Sequence, residues 1–69
     1  MTVTEKAVLD YIITFKTVNG YSPSTREIMM GVNSRSFHHI NECLAHLRSD
    51  GYITYKDKSP RTINVIRFT

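Results

Sequence analysis

The hydrophobic pattern of this chain changes period once, near Gly51, and this change limits the folds that the sequence can adopt. Before Gly51, apolar residues recur every three or four positions, which is typical of amphipathic helices. After it, two short runs rich in β-branched and aromatic residues flank a polar turn, which is the pattern of a β-hairpin. An isolated hairpin is marginally stable in water, so we expect this one to pack on the helices.

The segment before Gly51 divides into three predicted helices, at about residues 3–18, 25–31 and 36–49. The first two begin at Ser/Thr-x-x-Glu capping boxes, formed by Thr2 with Glu5 and by Ser24 with Glu27. The third begins at Ser34 or Ser36, either of which can cap it. The residues expected to face the core recur at helical spacing: Val8, Tyr11, Ile12, Phe15 and Val18, then Ile28 and Val32, then Phe37, Ile40, Leu44 and Leu47.

The hairpin strands are predicted at about residues 52–56 and 62–68, around the turn Asp57-Lys58-Ser59-Pro60. The apolar residues that we expect to close the open side of the core are Ile53, Ile63 and Val65. Because a very short turn joins the second and third helices, the whole pattern is typical of the winged form of the helix-turn-helix. We therefore predict one small α+β domain over residues 1–69, with three helices followed by a two-stranded antiparallel wing.

The positive charge of the chain lies in its second half. Residues 1–33 contain three Lys or Arg and three Asp or Glu, whereas residues 34–69 contain six and three, which accounts for the whole net charge of +3. Such an asymmetry indicates an anionic partner, with nucleic acid the first candidate. A basic surface that only keeps the protein in solution would show the same charge, so this alternative stays open.

The third helix is predicted to contact the bases of the DNA. It is the second member of the helix-turn-helix pair, and this member places its N-terminal residues against base edges in the major groove. The base-reading candidates on or beside its polar face are Ser36, His38, His39, Asn41 and Glu42. Asn can pair with adenine and Glu can accept from the cytosine amino group, and His can donate to guanine. The alternative is an ordinary solvent-facing surface; we favour DNA because the face is poor in Lys and Glu.

Contacts to the DNA backbone are predicted from hydroxyl and cationic residues around this helix: Ser24, Thr25, Arg35, Lys56, Lys58 and Arg61. Such contacts supply affinity and salt dependence rather than sequence preference. For the hairpin cations another role stays open, since lysines on an edge strand also guard against aggregation.

The three histidines and the single cysteine fall within nine positions, and His39, Cys43 and His46 have the spacing of ligands on one helix. A structural zinc site usually takes four ligands, and the sequence has no second cysteine and no histidine outside this helix. We therefore expect no metal, with Cys43 packed against the core and His46 exposed or near a phosphate.

Enzymatic activity is not expected either. A chain of 69 residues leaves little room for a catalytic cleft, and no phosphate loop or orienting third group accompanies the Cys–His pair. We accordingly expect no cofactor. No segment has the apolar run of a transmembrane helix or signal peptide, so the expected location is the cytoplasm.

Several runs of the sequence are distinctive in their order and spacing: EKAVLDYI at residues 5–12, GYSPSTREI at 20–28, and SRS followed by a helix that runs into HLRSDGYI. Together they resemble the N-terminal DNA-binding domain of the LexA repressors over nearly the whole chain. The resemblance implies a winged helix-turn-helix repressor of transcription, with its base-reading positions on Ser36, His38, His39, Asn41 and Glu42. Phe37 stands where LexA proteins commonly have proline, and paired histidines replace smaller reading residues, so we expect a target other than the usual SOS box.

The resemblance also bears on the expected partners. LexA repressors continue into a domain that dimerises and cleaves itself, which these 69 residues do not include, so neither self-cleavage nor the family's own dimer interface can be carried over to them. A single module burying about 600–1,000 Å² on DNA rarely binds as tightly as a dimer on two half-sites. We therefore expect double-stranded DNA together with a homodimer or a partner regulatory protein. The alternative function is a winged-helix protein-interaction module that binds or antagonises a LexA-type repressor or another transcription component.

Overall fold

The computed structural model describes residues 1–67 and contains three α-helices followed by a two-stranded antiparallel sheet. The bounds of the elements are α1 Val3–Asn19, α2 Thr25–Gly31, α3 Phe37–Ser49, β1 Ile53–Thr54 and β2 Asn64–Val65. This order confirms the predicted fold class, a small α+β winged helix-turn-helix in which residues 53–65 form the wing. Over residues 1–67, none of the helices combines the length and apolar character that crossing a membrane requires.

Capping residues explain where the helices begin. Thr2 Oγ1 accepts a hydrogen bond from the Glu5 backbone N–H (3.1 Å), and a Glu5 carboxylate oxygen accepts one from the Thr2 N–H (3.2 Å). Ser24 and Glu27 form the same reciprocal pair at the start of α2, and Ser36 caps α3. These contacts satisfy backbone N–H groups of the first turn and confirm both predicted capping boxes.

All three helices and the wing contribute to one hydrophobic core. Its buried members are Val8, Leu9, Ile12, Ile28, Ile40, Cys43, Leu44, Leu47, Ile53 and Ile63. Ile53 and Ile63 close the open side of the helices, as predicted, while Val65 is only partly buried. The buried position of Cys43 likewise confirms its predicted packing role.

Two residues of the predicted stripes are exposed to solvent. Val18, near the end of α1, is 75% exposed, and Phe37, the first residue of α3, is 44% exposed. Both occupy helix ends that extend past the packed layer, so their assignment to the core was wrong. Helical spacing identifies the face on which a residue lies, but it does not tell how far along the axis the core extends. Leu9, which was absent from the predicted stripe, is fully buried.

The strands of the wing are shorter than predicted. The paired residues are Ile53 with Val65 and Thr54 with Asn64. The expected strands covered residues 52–56 and 62–68, of which residue 68 lies outside the described part of the chain. Beyond the short ladder, Thr62 Oγ1 accepts a hydrogen bond from the Lys56 backbone N–H at 2.9 Å. A side chain therefore closes the base of the loop where a longer strand would have used backbone pairs.

A close contact joins α1 to α2 at Gly31. A Cβ atom on this residue would overlap the ring of Tyr11. Tyr11 is partly buried against the core, and its ring centre lies 5.9 Å from that of Phe15. Glycine in the last position of α2 thus makes room for the Tyr11 ring, which offsets the low helix propensity of glycine.

Polar contacts attach the wing to the connector that precedes α2. The buried Ser22 hydroxyl donates to the Ile63 carbonyl. Arg61 Nη1 and Nη2 lie 2.9 and 3.1 Å from the two carboxylate oxygens of Glu27, and Nη1 also donates to the Ser22 carbonyl at 3.2 Å. The Arg61 guanidinium lies over the Tyr21 ring, 4.8 Å from its centre. Because a forked pair fixes orientation as well as distance, these contacts hold the wing loop beside α2.

A second long-range pair joins α3 to α1. His46 Nδ1 lies 2.9 Å from Glu5 Oε2, and the Glu5 side chain is only 9% exposed. This hydrogen bond, followed by the one from the Thr2 N–H, lowers the pKa of Glu5 below its ordinary value. The His46 side chain is 63% exposed, as predicted, but its contact with Glu5 was not predicted.

We expect Glu5→Gln to reduce the loss of stability in acid. The pKa of Glu5 is lower in the folded chain than its ordinary value of 4.5, so the unfolded chain binds more protons in this range and stability rises with pH. The contribution is complete above pH 4.5 and is lost as the pH falls through the lowered value. Gln retains an oxygen for the capping box but cannot ionise.

The measurement is the midpoint of thermal unfolding, followed by circular dichroism from about pH 3 to pH 7. Asp10→Asn is the matched control, because Asp10 is an exposed carboxylate on the same helix. Identical pH profiles for the wild type and Glu5→Gln would contradict the role given to the Glu5–His46 pair.

Candidate nucleic-acid interface

The first turn of α3 stands clear of the core. Every residue from Ser36 to His39 is exposed, and Ile40 is the first buried residue of the helix. Ser36 Oγ accepts a hydrogen bond from the His39 backbone N–H at 3.1 Å, which fixes the start of the helix. This end of α3 therefore presents consecutive side chains to the surroundings, whereas the rest of the helix alternates between core and solvent.

The predicted base-reading residues are all exposed: Ser36, His38, His39, Asn41 and Glu42. They do not form one cluster, however. His38 Nε2 lies 3.4 Å from Glu42 Oε1, and His39 Nε2 lies 4.0 Å from the Sγ atom of the buried Cys43. Asn41 instead lines a groove on the side of the wing. At the N-terminal end of α3, Asn41 therefore lies on the side of the wing and His39 on the side of Cys43, with the exposed His38–Glu42 pair on another part of the surface.

An open groove of about 740 Å³ runs between the start of α2, the first half of α3 and the wing loop. Most of the predicted backbone-contacting residues line this groove: Ser24, Thr25, Lys56, Lys58 and Arg61. The remaining one, Arg35, is exposed in the turn between α2 and α3 and is not part of the groove lining. The groove thus brings the backbone candidates of α2 and the wing together with the base-reading candidate Asn41.

The cationic side chains that line the groove differ in whether an acidic partner neutralises their charge. Lys56 and Lys58 are exposed, whereas Arg61 is bound to Glu27. The Ser24 N–H, followed by the Arg61 guanidinium, lowers the pKa of Glu27, so this carboxylate stays ionised near neutral pH. Arg61 therefore anchors the wing in the free protein, which sequence reasoning missed, and the two lysines supply most of the positive potential of the loop.

Arg48 balances the acidic residue of the wing loop. Its Nη1 atom lies 2.9 Å from Asp57 Oδ1, and its guanidinium lies 4.6 Å from the centre of the Tyr55 ring. Asp57 therefore has its own cationic partner on α3 and cancels less of the potential of Lys56 and Lys58.

The groove residues that were not among the predicted site residues include Phe37 and Arg26. Phe37 was assigned to the core, and Arg26 was given no role. Both line the groove, and the Arg26 guanidinium lies 6.0 Å from the centre of the Phe37 ring. The sequence did contain a signal, because Phe37 directly follows the cap of α3, at the end that reaches the bases in a helix-turn-helix.

The histidines and Cys43 do not converge on a metal position. His46 is bound to Glu5, and burial raises the pKa of the Cys43 thiol, which disfavours the thiolate that a metal needs. In the part of the chain that the structure describes, no group of three or more His, Cys, Asp or Glu side chains is placed to hold a metal ion.

Comparison with known proteins agrees with this geometry. The family model of the LexA DNA binding domain matches residues 1–62. The LexA repressor of Geobacillus sp. is 36% identical over 62 residues, which is 90% of this chain and 30% of that protein. The LexA repressor of Carboxydothermus hydrogenoformans is 32% identical, again over 90% of this chain and 30% of that protein.

A third relative gives the same picture. The transcription regulator LexA of Synechocystis sp. is 29% identical over 66 residues, which is 96% of this chain and 32% of that protein. The chain therefore spans less than a third of the length of these curated relatives. Because the family match covers nearly all of its residues, the resemblance seen in the sequence is confirmed, and the chain belongs to the LexA DNA-binding domain family.

Proposed function

We propose that this chain is a sequence-specific regulator of transcription that binds double-stranded DNA and acts as a repressor in the cytoplasm. In this proposal the first turn of α3 enters the major groove and the wing contacts the DNA backbone. The observation that carries it is the exposed end of α3 beside a groove lined by cations and hydroxyls. Family membership supports it, since the relatives are named as repressors and regulators.

Base recognition requires side chains that reach base edges, and we propose that Ser36, His38, His39, Asn41 and Glu42 do so. A major groove about 12 Å wide admits a helix of about 10–12 Å diameter. Asn41 can bond to both N6 and N7 of adenine, and Glu42 can accept from N4 of cytosine. The exposure of these side chains supports this role, because their polar groups are available without unfolding the helix.

Backbone recognition requires donors around the reading helix, and we propose Ser24, Thr25, Arg35, Lys56, Lys58 and Arg61 for this role. Ser24 Oγ accepts a hydrogen bond from the Glu27 N–H, and its hydroxyl hydrogen can rotate away from the Glu27 carboxylate to donate to a phosphate oxygen. Arg61 has to share its guanidinium between Glu27 and a phosphate, so we expect it to contribute less than either lysine.

The salt dependence of binding tests this proposal. The logarithm of the affinity for duplex DNA should fall linearly with the logarithm of salt concentration, and Lys56→Ala and Lys58→Ala should each reduce the slope by about 1. The slope falls because each lysine that contacts a phosphate releases one condensed counterion on binding. Fluorescence anisotropy of a labelled duplex, titrated between about 50 and 200 mM salt, measures it.

Lys6→Ala is the matched control, because it removes the same charge from α1, where Lys6 is paired with Asp10. Absence of duplex binding even at low salt would contradict the proposal and favour the protein-interaction alternative. If the wing variants and Lys6→Ala gave the same slope of affinity against salt, the proposal of DNA binding would be retained. The proposal that the wing lysines contact phosphates would be contradicted.

We further propose that the active form on DNA is a homodimer, because one small module buries only about 600–1,000 Å² on a duplex. Selection of bound sequences from a random duplex pool tests this, since a two-fold symmetric dimer selects a palindrome. A consensus without internal symmetry would instead indicate a monomer or a different partner protein.

A further inference from the structure

Phe37 is an aromatic residue that the fold leaves exposed at the reading end of α3. It is the first residue of the helix, directly after the Ser36 cap, and 44% of its surface is exposed. A single exposed apolar side chain is ordinary and needs no functional explanation. The position of this one is more informative, because it lies among residues that we propose for DNA recognition.

The neighbours of Phe37 are those expected beside a nucleic-acid strand. Asn41 follows it by four residues, so both side chains lie on the same face of α3, and both line the groove. On α2, the Arg26 guanidinium lies 6.0 Å from the centre of the ring. The same groove contains Lys56 and Lys58 of the wing. The apolar ring of Phe37 is therefore flanked by the amide of Asn41, which can hydrogen-bond to a base edge, and by cationic side chains, which can bind phosphates. This arrangement is complementary to an apolar group on a base edge next to the DNA backbone.

We propose that Phe37 determines sequence specificity by packing against the 5-methyl group of a thymine in the major groove. The inference rests on the proposed function and names one base that the interface selects. Thymine is the base that presents a methyl group in the major groove. A ring placed over the amino or carbonyl edge of another base would displace water from a polar group without replacing its hydrogen bond.

Other exposed apolar side chains do not share these surroundings. Met30 is 72% exposed and belongs to α2, but it lies near the opposite end of that helix and is not part of the groove lining. Phe37 is therefore distinguished from the other apolar residues of the described chain by the combination of its exposure, its position in the first turn of α3 and its cationic neighbour.

Replacing thymine by deoxyuridine tests the inference, because deoxyuridine differs only by the absence of the 5-methyl group. Each thymine of a selected duplex is replaced in turn, and binding is measured by anisotropy for the wild type, Phe37→Ala and the control Met30→Ala. We expect one replacement per half-site to weaken wild-type binding about fourfold, the value of one buried methyl-sized group. The same replacement should have no effect on Phe37→Ala and the full effect on Met30→Ala.

The outcomes separate this inference from the proposed function. Duplex binding in which no replacement weakens the wild type, or in which Phe37→Ala keeps the full sensitivity, would overturn the inference and leave the proposed function intact. Failure of the wild type to bind any duplex would overturn both. The wild-type titration needs no variant, and circular dichroism of Phe37→Ala shows whether its helices are retained.

Discussion

Replacing Ile12 by alanine is expected to remove most of the stability of this domain. Ile12 is fully buried between the helices, and truncating such a side chain costs about 2–5 kcal/mol through lost burial and the cavity left behind. A core of this size rarely supplies more than about 3–5 kcal/mol in total. We therefore expect Ile12→Ala to be largely unfolded at physiological temperature, with the transition in urea shifted close to zero denaturant.

Val18→Ala is the matched control, since Val18 is an apolar, β-branched residue of the same helix but is 75% exposed. Its substitution should change the free energy of unfolding by no more than about 0.5 kcal/mol. Urea titration followed by circular dichroism compares the two variants. If Ile12→Ala and Val18→Ala lowered the free energy of unfolding by similar amounts, α1 would have to pack on a different face from the one described.

Asn41→Ala is expected to weaken binding to the preferred duplex by about 1–3 kcal/mol, the value of one two-bond contact to a base. Alanine has a higher helix propensity than asparagine, so the loss cannot come from a weakened helix. Because Asn41 lies in the groove and bears no charge, the slope of affinity against salt should stay the same. Discrimination among base pairs should disappear at one position of the site.

Single-base variants of the selected duplex, each measured with the wild type and Asn41→Ala, provide this test. Ser49→Ala is the matched control, because Ser49 is an exposed polar residue at the other end of the same helix. If Asn41→Ala lost affinity equally for every duplex, Asn41 would be a general contact to the backbone and not a base-reading residue.

Local signals in the sequence predicted much of the fold. The capping boxes at Thr2 and Ser24 involve residues three positions apart, so their hydrogen bonds depend only on the geometry of one helical turn. The change of hydrophobic period near Gly51 is likewise recognised from residues only a few positions apart in the sequence. Ile53 and Ile63 could likewise be assigned to the core, because the apolar residues of a short hairpin have to pack against the open side of the helices.

Contacts between distant residues could not be predicted in this way. His46 and Glu5 are 41 positions apart, and Arg61 and Glu27 are 34 apart, so no periodic pattern relates the members of either pair. Each pair exists because the helices and the wing pack in one particular arrangement. The candidate site was affected directly, since the sequence indicates Arg61 as a contact to DNA or as a guard of the strand edge, and not as the partner of Glu27.

The ends of elements were the other source of error. Phe37 and Val18 follow the spacing of their helices but lie where the helix passes beyond the core. In the wing, a side chain ends the ladder early, because Thr62 Oγ1 accepts the hydrogen bond from the Lys56 N–H that a backbone carbonyl of a longer strand would have accepted. Threonine is common in strands, so the sequence contained no clear sign of where the strands would stop.

The projection of α3 beyond the core has a consequence for how such a domain can evolve. Phe37, His38 and Asn41 lie outside the packed cluster, and surface substitutions of this kind usually change stability by less than about 0.5 kcal/mol. Mutations at these codons can therefore accumulate without compensating changes in the interior. A duplicated gene for this domain could acquire a new operator while its protein continued to fold as before.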